Sequence, residues 1–211
     1  GDSLTVGMQN LAGSDPQSNY LQRSFNSEGW SASVDAKGCR AVYQTQGSFE
    51  GDGSSCPAGT INDGISAVND PTNAQYLNND EAGTVVIGLG TNLYETDANG
   101  RVSQQLFEEK VKLLVSDIRK KSPNAEIYWV NLVNNSESTA LQERNLLLNK
   151  IAVEDDFTVL DWNDYVSTAK STPTTEDDVG FATEDRNEVH HTADGYTKKV
   201  QYLIDNVILP A

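Results

Sequence analysis

The 211-residue chain is short of positive charge: its 15 lysine and arginine residues stand against 31 aspartate and glutamate residues, giving a formal net charge of −16. Such an excess of negative charge repels nucleic-acid phosphates and the head groups of anionic membranes. Long hydrophobic stretches are also missing, because no apolar run approaches the ~18 residues that span a bilayer. We therefore exclude nucleic acid as a partner and expect a globular domain.

Cysteine and histidine are scarce as well, being limited to Cys39, Cys56 and the adjacent pair His190 and His191. Their spacing does not match a zinc site, so we expect no metal. A Cys39–Cys56 bridge would close a loop of about 18 residues and stabilise the fold by around 3 kcal/mol in the chain-entropy model. The bridge would indicate an exported domain; two unrelated reduced thiols are the alternative.

Three short apolar runs predict strands that are buried on both faces of a parallel sheet. They are Thr84–Gly90, Glu126–Leu132 and Phe157–Trp162. Each run ends in polar residues, as strands do where their carboxyl ends open onto a site.

Helical periodicity predicts three helices, over Ser103–Lys121, Ser138–Val153 and Ala193–Val207. Ser103 is the predicted N-cap of the first helix. The predicted apolar stripe of the second consists of Leu141, Leu146, Leu148 and Ile151. Residues 47–79 and 171–188 contain few apolar residues and predict loops. Strands that alternate with helices favour a parallel sheet with right-handed crossovers.

A buried parallel sheet normally has a strand that leads into its first site-forming turn, and no residues precede Gly1 in this sequence. A sheet without this strand is one explanation. We favour upstream residues that are missing or a domain cut from a longer chain. We therefore expect residues 1–211 to form one domain of a longer membrane-anchored or secreted protein.

Four segments contain candidate catalytic residues: Gly1–Gly7, Val34–Arg40, Gly88–Asn92 and Val189–Tyr196. In the first segment, Ser3 follows a Gly-Asp turn and can begin a helix. There its own N–H and the helix dipole favour a developing negative charge.

The other three segments can supply the remaining parts of an acyl-transfer site. Gly38 can bring a backbone N–H close to a ligand because it has no side chain. Asn92 follows a buried strand and can offer its amide at the carboxyl edge of the sheet, which would complete an oxyanion hole with Ser3 and Gly38. His190 and His191 are the candidate bases that a serine nucleophile needs.

In order and spacing, these segments resemble the SGNH (GDSL) hydrolase superfamily. Gly-Asp-Ser-Leu matches its first block, with Ser3 as the nucleophile, while Gly38 and Asn92 match the glycine and asparagine of the next two blocks. His190 matches the base of the last block, which makes His191 its neighbour. The resemblance covers nearly the whole chain. It implies an α/β fold, a three-layer α/β/α sandwich with a central parallel sheet of the flavodoxin-like kind, together with an acyl-serine intermediate and no cofactor.

Within the superfamily, the chain is most similar to extracytoplasmic domains attached to membrane acyltransferases, including O-acetyltransferases that modify peptidoglycan and other cell-surface glycans. The markers are Val34–Arg40, Gly90–Asn92, and the pairing of Trp129–Asn131 with Leu160–Trp162. The resemblance implies an acyl donor, a glycan acceptor and a membrane acyltransferase domain upstream in the same chain. It also implies an extracellular or cell-surface location, and we expect a monomer.

Position 187 departs from the superfamily pattern, because Asn187 stands where the triad aspartate is expected. An amide carries no charge to stabilise the imidazolium, and the same change in a serine protease costs about 10⁴ in turnover. Four explanations are open: an engineered inactivating change, a natural loss, a substitute carboxylate from Asp185 or Glu188, or a Ser3–His190 dyad oriented by a backbone carbonyl.

The sequence thus predicts a serine-dependent O-acyl(acetyl)transferase acting on a cell-surface glycan. A carbohydrate acetylesterase or small-ester hydrolase is the first alternative, since it uses the same residues with water as the acceptor. The second alternative, which Asn187 keeps open, is a non-catalytic module that binds a glycan or a partner.

Overall fold

A computed structural model describes residues 1, 5, 20–37, 39–43, 63–77, 83–92, 103–133, 139–171, 191 and 193–207, except for the side chains at 74, 75 and 169–171. The strands within these ranges are β1 (Thr84–Ile87), β2 (Glu126–Val130) and β3 (Thr158–Leu160). The helices are α1 (Tyr20–Ser27), α2 (Gly64–Asn69), α3 (Pro71–Leu77), α4 (Gln104–Lys121), α5 (Thr139–Glu154), α6 (Trp162–Ser171) and α7 (Ala193–Asn206).

The three strands form a parallel sheet in the order β1-β2-β3, which confirms the predicted parallel arrangement. In this register Ile87 lies beside Trp129, and Trp129 lies beside Val159. Each strand is shorter than predicted. Trp162 was predicted to end the third strand, but it begins α6 instead. This helix can begin there because the Asp161 carboxylate accepts the backbone N–H of Asp164 at 3.0 Å.

The sheet separates two hydrophobic clusters, and β2 contributes to both because its side chains alternate between the faces. Ile127 and Trp129 pack with α4 and α5, whereas Tyr128 and Val130 pack with α1, α6 and α7. Helices therefore cover both faces of the sheet, and the fold is a three-layer α/β/α sandwich.

Helix α4 follows its prediction closely. Its apolar stripe, from Phe107 to Ile118, is buried against the sheet. The Ser103 Oγ accepts the backbone N–H of Leu106 at 3.1 Å, which confirms Ser103 as the N-cap. None of the described helices is long and apolar enough to cross a bilayer.

In helix α5, the buried face differs in part from the predicted apolar stripe. Leu141, Leu148 and Ile151 are buried as expected, but Leu146 is 70% exposed. The buried face contains Arg144 instead. An arginine can occupy this position because its guanidinium finds a carbonyl partner inside the fold.

The predicted loop over residues 47–79 is wrong in its second half, where α2 and α3 lie. Asp63 begins α2, since its carboxylate accepts the Ser66 N–H at 2.7 Å. Ile65 and Val68 of α2 pack against the cluster beside α4. Two apolar contacts and one cap are enough for a six-residue helix that tertiary packing supports. The predicted loop over 171–188 lies outside the described residues after Ser171.

Candidate active site

The polar residues that follow β2 and β3 bind one another at the carboxyl edge of the sheet. Asn131 Nδ2 donates to the Asp161 carboxylate at 2.7 Å, and the Asn131 backbone N–H donates to Leu160 O at 3.0 Å. The Asn131 side-chain oxygen accepts the Asn163 N–H at 2.8 Å. These bonds join the two sequence markers 129–131 and 160–162, so that the ends of both strands are fixed relative to each other.

The Arg144 side chain of α5 binds the backbone of the turn that follows β1. Arg144 is fully buried, and its Nη1 donates to Gly90 O at 3.0 Å. Its guanidinium carbon also lies 4.3 Å from the centre of the Phe107 ring. Gly90 itself has φ +119°, a conformation that favours glycine, and an added Cβ would come within 3.2 Å of Leu132 Cδ2.

Asn92, the predicted oxyanion-hole side chain, lies at the end of this turn and is partly buried. Its Nδ2 donates to Arg40 O at 2.8 Å, across 52 positions of the sequence. This hydrogen bond joins the second and third motif segments. It uses one of the two N–H groups on Nδ2 and fixes the plane of the amide.

The first motif segment is attached to the second through Gly1. The Gly1 nitrogen donates to Asp35 O at 2.7 Å, and Lys37 N donates to Gly1 O at 3.1 Å. This is the pattern of a parallel β ladder. The segment from Ser31 to Lys37 is extended, with exposed residues alternating with partly buried ones, and Ala32 and Val34 pack on the cluster beside α1.

The second segment contains an ion pair between Asp35 and the buried Arg40, with 3.1 Å between Oδ1 and Nη2. Asn73 of α3 donates to the other carboxylate oxygen at 2.8 Å. Burial raises the pKa of Asp35, but the hydrogen bond and the positive charge of Arg40 outweigh this effect and hold the pKa below its ordinary value. Asp35 is therefore ionised at neutral pH.

His191, in the fourth segment, is buried among aromatic rings at the carboxyl end of β3. Trp162 Nε1 donates to His191 Nε2 at 3.3 Å, and the imidazole lies edge-on to Trp162 and Tyr196. Since the indole nitrogen can only donate, Nε2 acts as the acceptor of this hydrogen bond. His191 thus packs in the interior, as a neighbour of His190.

Of the five predicted site residues, the described ranges include Asn92 alone. Ser3, Gly38, Asn187 and His190 lie outside them, as do Asp185 and Glu188. The roles assigned to these residues stay predictions. The structure nevertheless describes Gly1, Cys39 and His191, which lie within two residues of Ser3, Gly38 and His190 in the sequence. Cys39 has a left-handed φ of 61° and is not a free thiol; Cys56 lies outside the described ranges, so the predicted bridge also stays a prediction.

Sequence reasoning missed residues that hold the site together, above all Arg144 and Asn145 of α5. Asn145 binds both the N–H and the carbonyl of Leu132, at 2.9 and 2.7 Å. A signal was present, because a polar pair interrupts the otherwise apolar stripe between Leu141 and Leu148. Identifying the partners requires the fold, since Gly90 and Leu132 are distant in sequence.

A cleft of about 840 Å³ runs beside β1, between this strand and the extended segment from Ser31 to Asp35. One end of the cleft reaches the carboxyl edge at Thr91 and Asn131. The cleft extends well past this edge, so only that end belongs to the candidate site. Within the described ranges, no group of three or more His, Cys, Asp or Glu side chains could hold a metal ion.

No protein-family model matches the sequence, and no curated protein sequence matches it. Solved structures do match. A carbohydrate esterase family 2 enzyme with a carbohydrate-binding domain from Corynascus thermopiles (Myceliophthora fergusii) is 17% identical, with a TM-score of 0.60 over 97% of this chain. This chain spans 62% of that enzyme's length.

Two further structures are similar over most of their own length. The acetyl xylan esterase AlAXEase is 14% identical, with a TM-score of 0.57, and the match covers 98% of this chain and 96% of that one. A GDSL-like protein of Parabacteroides merdae is 14% identical, with a TM-score of 0.53 and coverage of 88% and 76%. This chain therefore shares its fold with two carbohydrate esterases and a GDSL-like protein.

Proposed function

We propose that the chain is a serine-dependent carbohydrate O-acetylesterase that works through an acetyl-serine intermediate. The observation that supports this most is the meeting of three motif segments at the carboxyl edge of the sheet. Gly1 binds Asp35 and Lys37, and Asn92 binds Arg40. Ser3 and Gly38 lie within two residues of these contacts along the chain, so both can reach the edge where Asn92 lies.

The burial of His191 supports His190 as the base. His191 accepts a hydrogen bond from Trp162 and is enclosed by aromatic rings. A base has to exchange protons with a substrate, which a ring in this environment does not reach. His190 is the other histidine of the chain.

In the proposed mechanism, Ser3 Oγ attacks the acetyl carbonyl carbon while His190 takes the hydroxyl proton. The tetrahedral oxyanion accepts hydrogen bonds from the Ser3 and Gly38 backbone N–H groups and from the second N–H of Asn92 Nδ2. Collapse of this intermediate breaks the bond to the sugar oxygen, which receives the proton from His190. Water then attacks the carbonyl carbon of acetyl-Ser3 while His190 takes one of its protons. The bond to Ser3 Oγ breaks as His190 returns that proton to Oγ, and acetic acid leaves and ionises to acetate in solvent.

Carbohydrate esters are the proposed substrate class because two of the similar structures are a carbohydrate esterase and an acetyl xylan esterase. Asn187 limits the rate in this proposal. The amide at this position carries no charge that could stabilise the His190 imidazolium.

The test compares the hydrolysis of p-nitrophenyl acetate and the release of acetate from acetylated xylo-oligosaccharides by the wild type, Ser3→Ala and Asn187→Asp. We expect Ser3→Ala to fall to the buffer rate and Asn187→Asp to raise kcat by about 10²–10⁴-fold. Asn206→Asp, at the exposed end of α7, is the matched control and should leave kcat unchanged.

The other outcomes distinguish the alternatives. If Asn187→Asp changes little while Asp185→Asn or Glu188→Gln abolishes turnover, a substitute carboxylate orients His190. If only Asn187→Asp is active, the chain is a disabled enzyme that retains the cleft. If wild type, Ser3→Ala and Asn187→Asp all match buffer, the esterase proposal is wrong, and a non-catalytic binding module takes its place.

An O-acetyltransferase is the second candidate, favoured by the markers Val34–Arg40 and Trp129–Asn131 that resemble membrane-attached acyltransferase domains. It shares the acetyl-serine, and a glycan hydroxyl replaces water in the second step. Mass spectrometry of a glycan oligomer incubated with the acyl donor separates the two. A gain of acetyl groups by the oligomer supports the transferase, whereas free acetate alone supports the esterase.

A further inference from the structure

The turn that contains Gly38 is spanned by contacts between the residues on either side of it. Arg40 N donates to Lys37 O at 3.3 Å and closes the turn, in which Cys39 has φ 61°. The Arg40 guanidinium reaches back to Asp35 twice, to Oδ1 at 3.1 Å and to the backbone oxygen at 3.3 Å. Two contacts from one planar group restrict the turn far more than a single one.

This ion pair differs from the others in the described ranges by the burial of its cation. The Arg40 side chain is 4% exposed and that of Asp35 is 36% exposed, whereas Lys112 and Glu154, which join α4 to α5, are 36% and 43% exposed. A buried guanidinium is held strongly in one place, because losing its partner leaves an uncompensated charge. Asn73 adds a further restraint by binding the second oxygen of Asp35.

The backbone of Arg40 is also the point where Asn92 attaches. The Arg40 carbonyl accepts the Asn92 Nδ2 hydrogen bond at 2.8 Å. The guanidinium therefore fixes the turn, the turn fixes the carbonyl, and the carbonyl fixes the side-chain amide. The same ion pair also restrains Gly1, since the Gly1 nitrogen donates to the Asp35 backbone oxygen at 2.7 Å.

We infer that Asp35 and Arg40 are positioning residues, which orient the Asn92 amide as an oxyanion donor. This inference rests on the proposed function, since an oxyanion forms only if the chain transfers acyl groups. Neither residue has to touch the substrate. Their effect on the rate passes through Asn92, which makes it measurable by a double-mutant cycle.

The kinetic test uses p-nitrophenyl acetate with Arg40→Met, Arg40→Lys, Asn92→Ala and the double variant Arg40→Met/Asn92→Ala. Asn92→Ala should lower kcat by about 10²-fold, as loss of one oxyanion donor does. Arg40→Met should approach this loss with little change in KM, and the double variant should be no slower than Asn92→Ala. Arg40→Lys should be intermediate, since an ammonium cannot reproduce the planar two-point contact. Lys112→Met removes the two ion pairs of Lys112, with Glu108 and Glu154, and should leave kcat unchanged.

A second measurement does not depend on activity. In protein labelled with ¹⁵N-asparagine, the side-chain amide signals of Asn92 are assigned through Asn92→Ala. Arg40→Met should shift these signals and speed their exchange with solvent, and Lys112→Met should not. If Arg40→Met does not fold, as judged by circular dichroism, Arg40→Lys and Asp35→Asn take its place in both measurements.

The outcomes separate this inference from the proposed function. A wild type with no turnover above Ser3→Ala contradicts the proposed function, and the Asn92 signals then still decide whether Arg40 positions the amide. Unchanged Asn92 signals in a folded Arg40 variant overturn the inference. Losses of kcat that multiply in the double variant overturn it as well, because Arg40 would then act independently of Asn92.

Discussion

At the scale of single residues, the side-chain nitrogen of Asn92 has two N–H groups, one for a structural hydrogen bond and one for the proposed oxyanion. One N–H binds Arg40 O at 2.8 Å, and the second is the proposed oxyanion donor. Its place after a buried strand made it predictable from the sequence. The Arg40 carbonyl that Asn92 binds was not predictable, because every residue has a backbone carbonyl and this one lies 52 positions away in the sequence. The same holds for Arg144, whose partner is the Gly90 carbonyl.

Gly90 offers a test at this scale. Gly90→Ala should destabilise the fold by about 1–3 kcal/mol, because φ +119° strains any L side chain and the new Cβ meets Leu132. It should also lower kcat, since Asn92 lies two residues further along the same turn. Chemical denaturation together with the esterase assay measures both effects.

Gly83→Ala is the matched control at the opposite end of β1, where an added Cβ meets nothing within 4 Å. It should change the free energy of unfolding by less than about 1 kcal/mol. Equal effects of the two substitutions would contradict the assigned strain at Gly90.

At the scale of secondary structure, long amphipathic elements were predictable and short ones were not. Helix α4 has a continuous apolar stripe, a serine cap and a basic last turn, and its prediction is confirmed nearly to the residue. Helices α2 and α3 have only six and seven residues, too few for a periodic pattern. Leu146 was misplaced because the stripe of α5 is broken by Arg144, and only the packing shows which residue faces inward.

The cap of α4 provides a prediction at this scale. Ser103→Ala should lower the free energy of unfolding by about 1 kcal/mol, because the Leu106 N–H loses the acceptor that lies at 3.1 Å. Ser167→Ala in α6 is the matched control, since Ser167 is exposed and its Oγ donates to Asn163 O within the same helix. We expect a change of less than about 0.5 kcal/mol there. Urea denaturation of both variants measures the free energy of unfolding. A Ser103→Ala variant as stable as wild type would contradict the role of Ser103 as the N-cap.

At the scale of the whole molecule, the architecture followed from the alternation of strands and helices, and the structure confirms a sandwich with helices on both faces of a parallel sheet. Parallel strands place their carboxyl ends at one edge. That geometry is why segments as distant as Gly1, Asn92 and His191 could be expected near one another. The contacts of Gly1 with Asp35 and of Asn92 with Arg40 join the first three segments. The fourth segment is placed by His191 against Trp162, next to the end of β3.

We propose that these segments make one acyl-transfer site with Ser3 as its nucleophile. The most direct measurement is the rate at which a serine-directed organophosphate labels the protein, with the adduct located by peptide mass spectrometry. We expect a single adduct, on Ser3, formed at least about 10²-fold more slowly in His190→Ala and in Asn92→Ala. An adduct on another residue, or Ser3 labelled equally fast in all three proteins, would contradict it.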